Sequence, residues 1–416
     1  MKLNDLFENR HRFHFQVGGL GKLFVVAGIA VGIATVGAGI QLEMKRQLWA
    51  AFLLNLFFFF TLALGGMAFS AMQDVIGAVW ARPIKRLHEG FGSFIPFAIA
   101  CFILFLGAVY FDVGDAGSVY RWIENPEILD HFHGKRDWLV PELMVVRDIF
   151  ALLIIGGISW WQMRMNLVRD QIMLSGDQKA AAVEGERAKQ KLRFWSAPIL
   201  VVYSLCYTLL GFDLLMSLSP LWFSTLWGGW LFSIMMQTLM AIILLTMFVL
   251  KSGPIGAVFQ RQHFHDFGKL LHGFSIFFAY LTYAHVLTYW YGNVPEETEY
   301  FLHRMHGPWI YFLWGIPLVA FILPLYLLLI KAAKWTPFVM IPLCFIILVA
   351  QWCTSILVVS PEVVGDQWSY PFVLEGGMLL LFLSLFFGVY FRFGKKYPMI
   401  CLGDPLLKSA LEAEHH

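Results

Sequence analysis

Leu48-Trp-Ala-Ala-Phe-Leu-Leu-Asn-Leu-Phe-Phe-Phe-Phe-Thr-Leu-Ala-Leu-Gly-Gly-Met-Ala-Phe-Ser-Ala-Met72 is a run of 25 residues without a charged side chain. At about 1.5 Å per residue, a helix of that length crosses the roughly 30 Å of hydrocarbon in a bilayer. The run is too long and too rich in Leu and Phe for a lipid-facing strand of about ten alternating residues, so its backbone must satisfy its own hydrogen bonds as a helix. Working outward, the same reading gives ten spans, at residues 23–41, 48–72, 92–113, 141–163, 196–217, 222–250, 267–291, 308–330, 336–360 and 371–391. Composition agrees: 59% of the 416 residues are hydrophobic and 14% charged, against about 45–50% and about 25% in soluble domains. A soluble enzyme is excluded. The expected architecture is an all-α polytopic membrane protein. Residues 1–22 form an inner tail, 23–391 a ten-helix membrane domain and 392–416 a second tail. The first span is expected to be retained, because no small-residue cleavage site follows the basic start.

Orientation follows from Lys and Arg, which resist translocation. Of the 30 basic residues, 22 fall in the two tails and every second loop, and six in the intervening loops. Both termini are therefore expected in the cytoplasm, which requires an even number of spans. The basic residues, including the seven between Arg164 and Arg193, read as orientation and lipid-headgroup contacts. A net charge of +2 gives no case for nucleic acid. The five cysteines stand far apart without a CxxC pair and offer no disulfide framework and no zinc or iron–sulfur spacing. His272 and His285 share the seventh span but lie about 220° apart around it, so they make no bis-histidine haem pair. No metal or redox group is expected on this chain.

Three loops exceed short links. Loop 114–140 is external and carries Tyr120, Trp122, His131, His133 and Trp138, enough to meet a partner. Loop 164–195 is internal, with an Ala/Glu/Lys/Arg-rich surface helix around 178–193. Loop 292–307 is external. Spans two to five and six to nine can form two similar bundles.

Ionisable residues inside a bilayer cost a few kcal/mol unless paired or hydrated, and so point to chemistry. The seventh span carries His265, Asp266, Lys269 and His272 at its inner end, then Tyr280, Tyr283, His285 and Tyr289. With His265 at 0°, Lys269 falls near 40°, His272 near 340°, Tyr280 near 60° and Tyr283 near 0°. Five protonatable groups thus share a face over about 27 Å, a candidate proton path. The alternative is that His265, Asp266 and Lys269 sit at headgroup level and the tyrosines bond neighbouring helices. Toward the outer face stand Glu142, Arg147 and Asp148, where Arg147 and an acid can neutralise each other; Asp213, at the end of the fifth span; and Glu375 in the tenth. A secondary transporter would need helices broken by Gly or Pro at corresponding positions of two halves. Pro254, Pro295, Pro308 and Pro361 mostly punctuate loops, and Pro324 alone lies deep in a span.

Phe212-Asp-Leu-Leu-Met-Ser-Leu-Ser-Pro-Leu-Trp-Phe-Ser-Thr225, His265-Asp-Phe-Gly-Lys-Leu-Leu271 and Trp290-Tyr-Gly-Asn-Val-Pro-Glu-Glu-Thr298 together resemble the shorter of the two large NrfD-like membrane subunits of bacterial alternative complex III. The resemblance is densest from about residue 205 to 300. It implies two four-helix bundles flanked by two further helices, within a quinol:cytochrome c, or high-potential acceptor, oxidoreductase of the bacterial inner membrane. The implied partners are the longer NrfD-like subunit, an iron–sulfur protein, multihaem and monohaem cytochrome c subunits, lipids and a terminal oxidase. Haem c and iron–sulfur clusters then belong to those partners. The resemblance assigns quinol oxidation to the longer subunit and gives this one, often labelled quinone-binding, the roles of scaffold and candidate proton path. The matching residues are Asp213, Ser217, Trp222, Ser224, Thr225, His265, Asp266, Lys269, Asn293, Pro295, Glu296 and Glu297. The stripe on span seven gives the expected proton route, from His265, Asp266, Lys269 and His272 through Tyr280 and Tyr283 toward Asp213 or the Glu296/Glu297 pair; His285 stands where the resemblance implies an uncharged polar residue. Two other readings are an NrfD-like anchor with its own quinone site in a molybdoenzyme-type complex, and a secondary transporter.

Overall fold

The computed structural model describes residues 10–130, 133–174, 178–365 and 372–412. Among the described residues, ten helices are long and apolar enough to cross a membrane: α1 Gly19–Gln41, α2 Lys45–Ile76, α3 Lys85–Tyr110, α4 Pro141–Ile172, α5 Val183–Leu218, α6 Trp227–Leu250, α7 Arg261–Gly292, α8 Trp309–Leu329, α9 Pro337–Val364 and α10 Val373–Lys396. No strand occurs among the described residues. The chain is an all-α, multi-pass membrane protein. The inner face is the one richer in Lys and Arg.

The helices outrun the apolar segments. The stretch around 178–193 is no separate surface helix, because one helix continues from Gln178 to Leu214. Its Ala, Glu, Lys and Arg are strong helix formers, and Arg187–Glu184 and Lys189–Glu186 pair along it at 2.8 and 3.3 Å.

α2, α3, α4 and α5 pack in a closed ring, as do α6, α7, α8 and α9; α1 and α10 pair outside them, with α10 against α2. α2 touches both bundles and is buried on nearly every side, which explains why it is apolar all round. A Cβ on Gly66 of α2 would collide with the His88 carbonyl, so glycine there lets α3 approach. The buried residues of α1 are Gly28, Gly32, Thr35 and Gly39, small side chains that let two membrane helices close together.

α8 is irregular. A π-helical turn, Leu318–Ile322, interrupts it, and Pro317 as well as Pro324 lies inside the span. Pro361 does not punctuate a loop; it lies within α9. Two of these breaks are repaired from another helix. Pro324 has no N–H for the Ala320 carbonyl, and Gln237 Nε2 donates to it at 2.6 Å. Pro361 likewise frees the Leu357 carbonyl, which accepts from Arg304 Nε at 2.9 Å.

Candidate functional site

The inner end of the first bundle holds a buried ion network. Asp74 pairs with Arg82 at 2.7 Å and Lys85 at 2.6 Å; Arg82 and Arg169 reach Asp404 at 3.2 and 3.1 Å; Arg86 meets Asp170 at 2.5 Å and Glu89 at 3.3 Å; Lys85 lies 3.6 Å from Glu89. Four cations face four carboxylates, and no side chain among them is more than 6% exposed. Charges taken out of water must be paired and hydrogen-bonded, and this set balances. Headgroup contact therefore does not describe Arg82, Lys85, Arg86 and Arg169. The segment after α10 is no free tail either, since it folds back to deliver Asp404, and Gly403 N–H donates to Asp170 at 2.8 Å. Burial alone would push the Asp404 carboxyl up, but Arg169, Arg82, Lys85 and the Leu406 N–H hold it below the ordinary carboxylate range. Burial and the nearby Glu89 and Asp170 carboxylates push the Cys401 thiol up to about 12, against Arg86 and Arg169.

From this network a line of polar side chains enters the membrane. Glu89 Oε1 accepts from Ser70 at 2.7 Å and from Asn166 at 2.8 Å. Beside it, His88 Nδ1 donates to the Gly66 carbonyl at 2.9 Å. A carbonyl only accepts, so the ring is fixed in its Nδ1–H tautomer and Nε2 takes the 3.1 Å bond from Gln73. One turn outward from Asn166, Gln162 Oε1 accepts from the Tyr203 hydroxyl at 3.4 Å, and Tyr203 bonds Ser159 at 2.8 Å. One turn further along α5, Tyr207 bonds Thr61 at 2.9 Å. All are buried. Ser159, Gln162, Asn166 and Asp170 recur every three or four residues, one stripe of α4 turned into the bundle. It spans about 16 Å from Asp170 to Ser159.

Beyond Tyr207 the bundle interior is apolar, with Leu152, Ile155 and Leu210 buried, for about 9 Å. The outer cluster then begins. Asp213 accepts from Arg147 Nε, from Arg147 Nη2 at 2.8 Å and from Trp138 Nε1 at 2.8 Å. The Arg147 guanidinium lies 4.0 Å above the Trp138 ring and donates to the Trp138 carbonyl at 2.9 Å. Asp148 is fully buried beside Asp213. The acid that neutralises Arg147 is thus Asp213; Glu142 is exposed in the first turn of α4.

The turn after Asp213 is fixed by its own residues and by loop 114–140. Ser217 donates to the Asp213 carbonyl at 2.5 Å, and Lys135 Nζ donates to the Pro220 and Trp222 carbonyls at 2.7 and 3.1 Å. Burial pulls the Lys135 ammonium down to about 8, with Glu297 opposing. Trp222 stacks on Tyr300 with centroids 3.9 Å apart. Ser224 accepts from Leu226 N–H at 3.2 Å, and Thr225 is exposed. Asn293 ends α7 in the left-handed region, and Pro295 opens the following helix Pro295–Arg304. The side chains of Glu296 and His133, together with His131, His415 and His416, lie outside the described residues.

The seventh span distributes its polar residues differently from the expected continuous route. Asp266 pairs with Lys269 at 2.6 Å and accepts from Gln262 at 3.0 Å, and His265 packs near Trp335. His272 is half-buried. Tyr280 and Tyr283 are 62% and 63% exposed and face out of the bundle. The five residues do share a face, but its outer half is the outside of the protein. The inward face instead holds Ser275, bonded to Gln237 at 2.8 Å, and His285. That histidine lines a cavity of about 80 Å³ with Trp222, Trp227, Trp230 and Tyr300. Its Nδ1 donates to the Leu281 carbonyl at 2.8 Å, which leaves Nε2 a bare acceptor.

Sequence reading missed the inner network and the α4 stripe. The stripe's spacing was available; Asp404, 322 residues from Arg82, carried no local signal. No group of His, Cys, Asp and Glu that could hold a metal ion occurs among the described residues. Glu375 accepts from Ser360 at 3.2 Å. No family model and no curated protein matches the chain.

Proposed function

We propose that this chain is an integral membrane subunit of a respiratory quinol:cytochrome c, or high-potential acceptor, oxidoreductase in a bacterial inner membrane. In this reading it scaffolds the complex and guides protons, while electrons pass through its partners. Those partners are a longer NrfD-like subunit, an iron–sulfur protein and multihaem and monohaem cytochromes c, with a terminal oxidase as neighbour. The observation that carries the reading is the buried line from Glu89 to Tyr207. Membrane interiors hold such groups where they conduct ions or protons. Hydroxyls both donate and accept, so Ser159, Tyr203, Tyr207 and Thr61 relay, while Asn166 and Ser70 hold Glu89. The apolar stretch before Asp148 and Asp213 acts as a barrier that passes protons only when wetted. Arg147 and Trp138 fix Asp213 as the outer terminus. The exposed face of α7 is left to lipid or a neighbouring subunit.

Affinity purification of the tagged chain from native membranes tests the assembly. Multihaem and iron–sulfur subunits in stoichiometric amounts are expected; a lone oligomer would instead support a transporter. The transporter reading is weaker because α8 is broken while α4, its counterpart in the first bundle, runs continuously from Pro141 to Ile172. A quinone site on this chain has one specific observation in its favour, the aromatic cavity in which His285 Nε2 accepts, a site for the O–H of a quinol. His285→Leu with unchanged quinol binding would remove that reading.

A further inference from the structure

We propose that an anionic phospholipid of the inner leaflet occupies a groove between the N-terminal segment, the inner end of α6 and the inner end of α10. The groove encloses about 510 Å³. Its wall on α6 runs from Ile242 through Leu245 and Val249 to Leu250, about 12 Å of depth into hydrocarbon, and Phe387 and Phe391 of α10 form the opposite wall. That surface suits an acyl chain and is too deep for a headgroup.

The inner end of the groove has the opposite chemistry. Arg12 and His14 line it, and Arg12 is exposed with no acid partner among the described residues. His14 Nδ1 donates to the Lys395 carbonyl at 3.0 Å and Phe15 N–H donates to the Gly394 carbonyl at 2.8 Å, so the N-terminal segment is pinned to the end of α10 and Arg12 is held beside Lys395 and Lys396. The three stretches that carry the groove's lining residues, 12–22, 242–255 and 387–396, contain Arg12, Lys22, Lys251, Arg392, Lys395 and Lys396 but no Asp or Glu. The Asp74 to Asp404 network neutralises its own cations, whereas Arg12, Lys22, Lys395 and Lys396 have no acid within ion-pair distance among the described residues. A basic pocket at the inner membrane surface above an apolar slot fits a glycerophospholipid with net negative charge, whose phosphate takes the cations and whose acyl chain takes the α6–α10 wall.

The test is native mass spectrometry of the detergent-purified full chain, titrated with equimolar phosphatidylglycerol and phosphatidylcholine. One phosphatidylglycerol is expected to survive activation that strips phosphatidylcholine. R12Q with K395Q and K396Q should weaken it about fivefold for each charge removed, and V249W, which fills the slot without changing charge, should remove it while the melting temperature stays near that of the parent. Equal retention of both lipids, unchanged retention in both variants, or a tightly held adduct with the mass of a peptide or an uncharged isoprenoid instead of the phospholipid would overturn the proposal.

Discussion

Arg86 of α3 and Asp170 of α4 face each other at 2.5 Å with the guanidinium wholly out of contact with solvent. Neither residue has an exit to water, so their charges must be balanced within the buried network. Replacing Asp170 by Asn keeps the acceptor for Gly403 N–H but leaves the network one positive charge in excess. A broken buried pair costs about 3–5 kcal/mol, so Asp170→Asn should melt well below the parent in detergent. The charge-neutral pair Asp170→Asn with Arg86→Met should regain part of that loss. Equal melting of parent and single variant would contradict the network.

Arg147 carries the outer counterpart. Arg147→Gln removes both bonds to Asp213 and the contact with the Trp138 carbonyl; because its side chain is 19% exposed, the expected cost is lower, about 1–3 kcal/mol. Trp138→Phe loses a single bond to Asp213 and should cost about 0.5–1.5 kcal/mol. Limited proteolysis should cut within 114–140 faster in both, and more so in Arg147→Gln.

How much of this was legible in the sequence depends on what each feature depends on. The ten helices were, because bilayer thickness acts on local composition. The α4 stripe was legible in spacing but fell across a hydropathy boundary: the apolar run stops at 163, and Asn166 and Asp170 lie just past it. A search for charges inside spans also passes over Gln162, Tyr203 and Tyr207, which are uncharged. For α7 the helical wheel grouped His265, Lys269, His272, Tyr280 and Tyr283 on one face. It carried no information about which way that face points, a property set by α6 and α8. The inner network joins residues on α2, the α2–α3 link, α3, α4 and the segment after α10, and only tertiary packing brings them together.

Lys135 gives a prediction in pH. Burial penalises its charged form and sets it near 8, against about 10.4 for a free lysine. The folded protein therefore binds fewer protons here than the unfolded chain between about pH 8 and 10.4, and stability should rise with pH across that window. Acetylation of Lys135, followed by mass spectrometry of the folded protein, should titrate with a midpoint near 8. A midpoint at the ordinary lysine value would show that the ammonium is not buried against Pro220 and Trp222.

Proton movement through the first bundle is tested most directly at Glu89. In the purified complex reconstituted into vesicles, quinol-driven proton uptake from the inner side should fall at least about tenfold in Glu89→Gln, which keeps an acceptor for Ser70 and Asn166 but cannot exchange a proton and, like Asp170→Asn, melts below the parent, while electron transfer with uptake uncoupled persists in the assembled complex. Glu89→Gln with the parent's ratio of protons to electrons, in an assembled and active complex, would contradict the account.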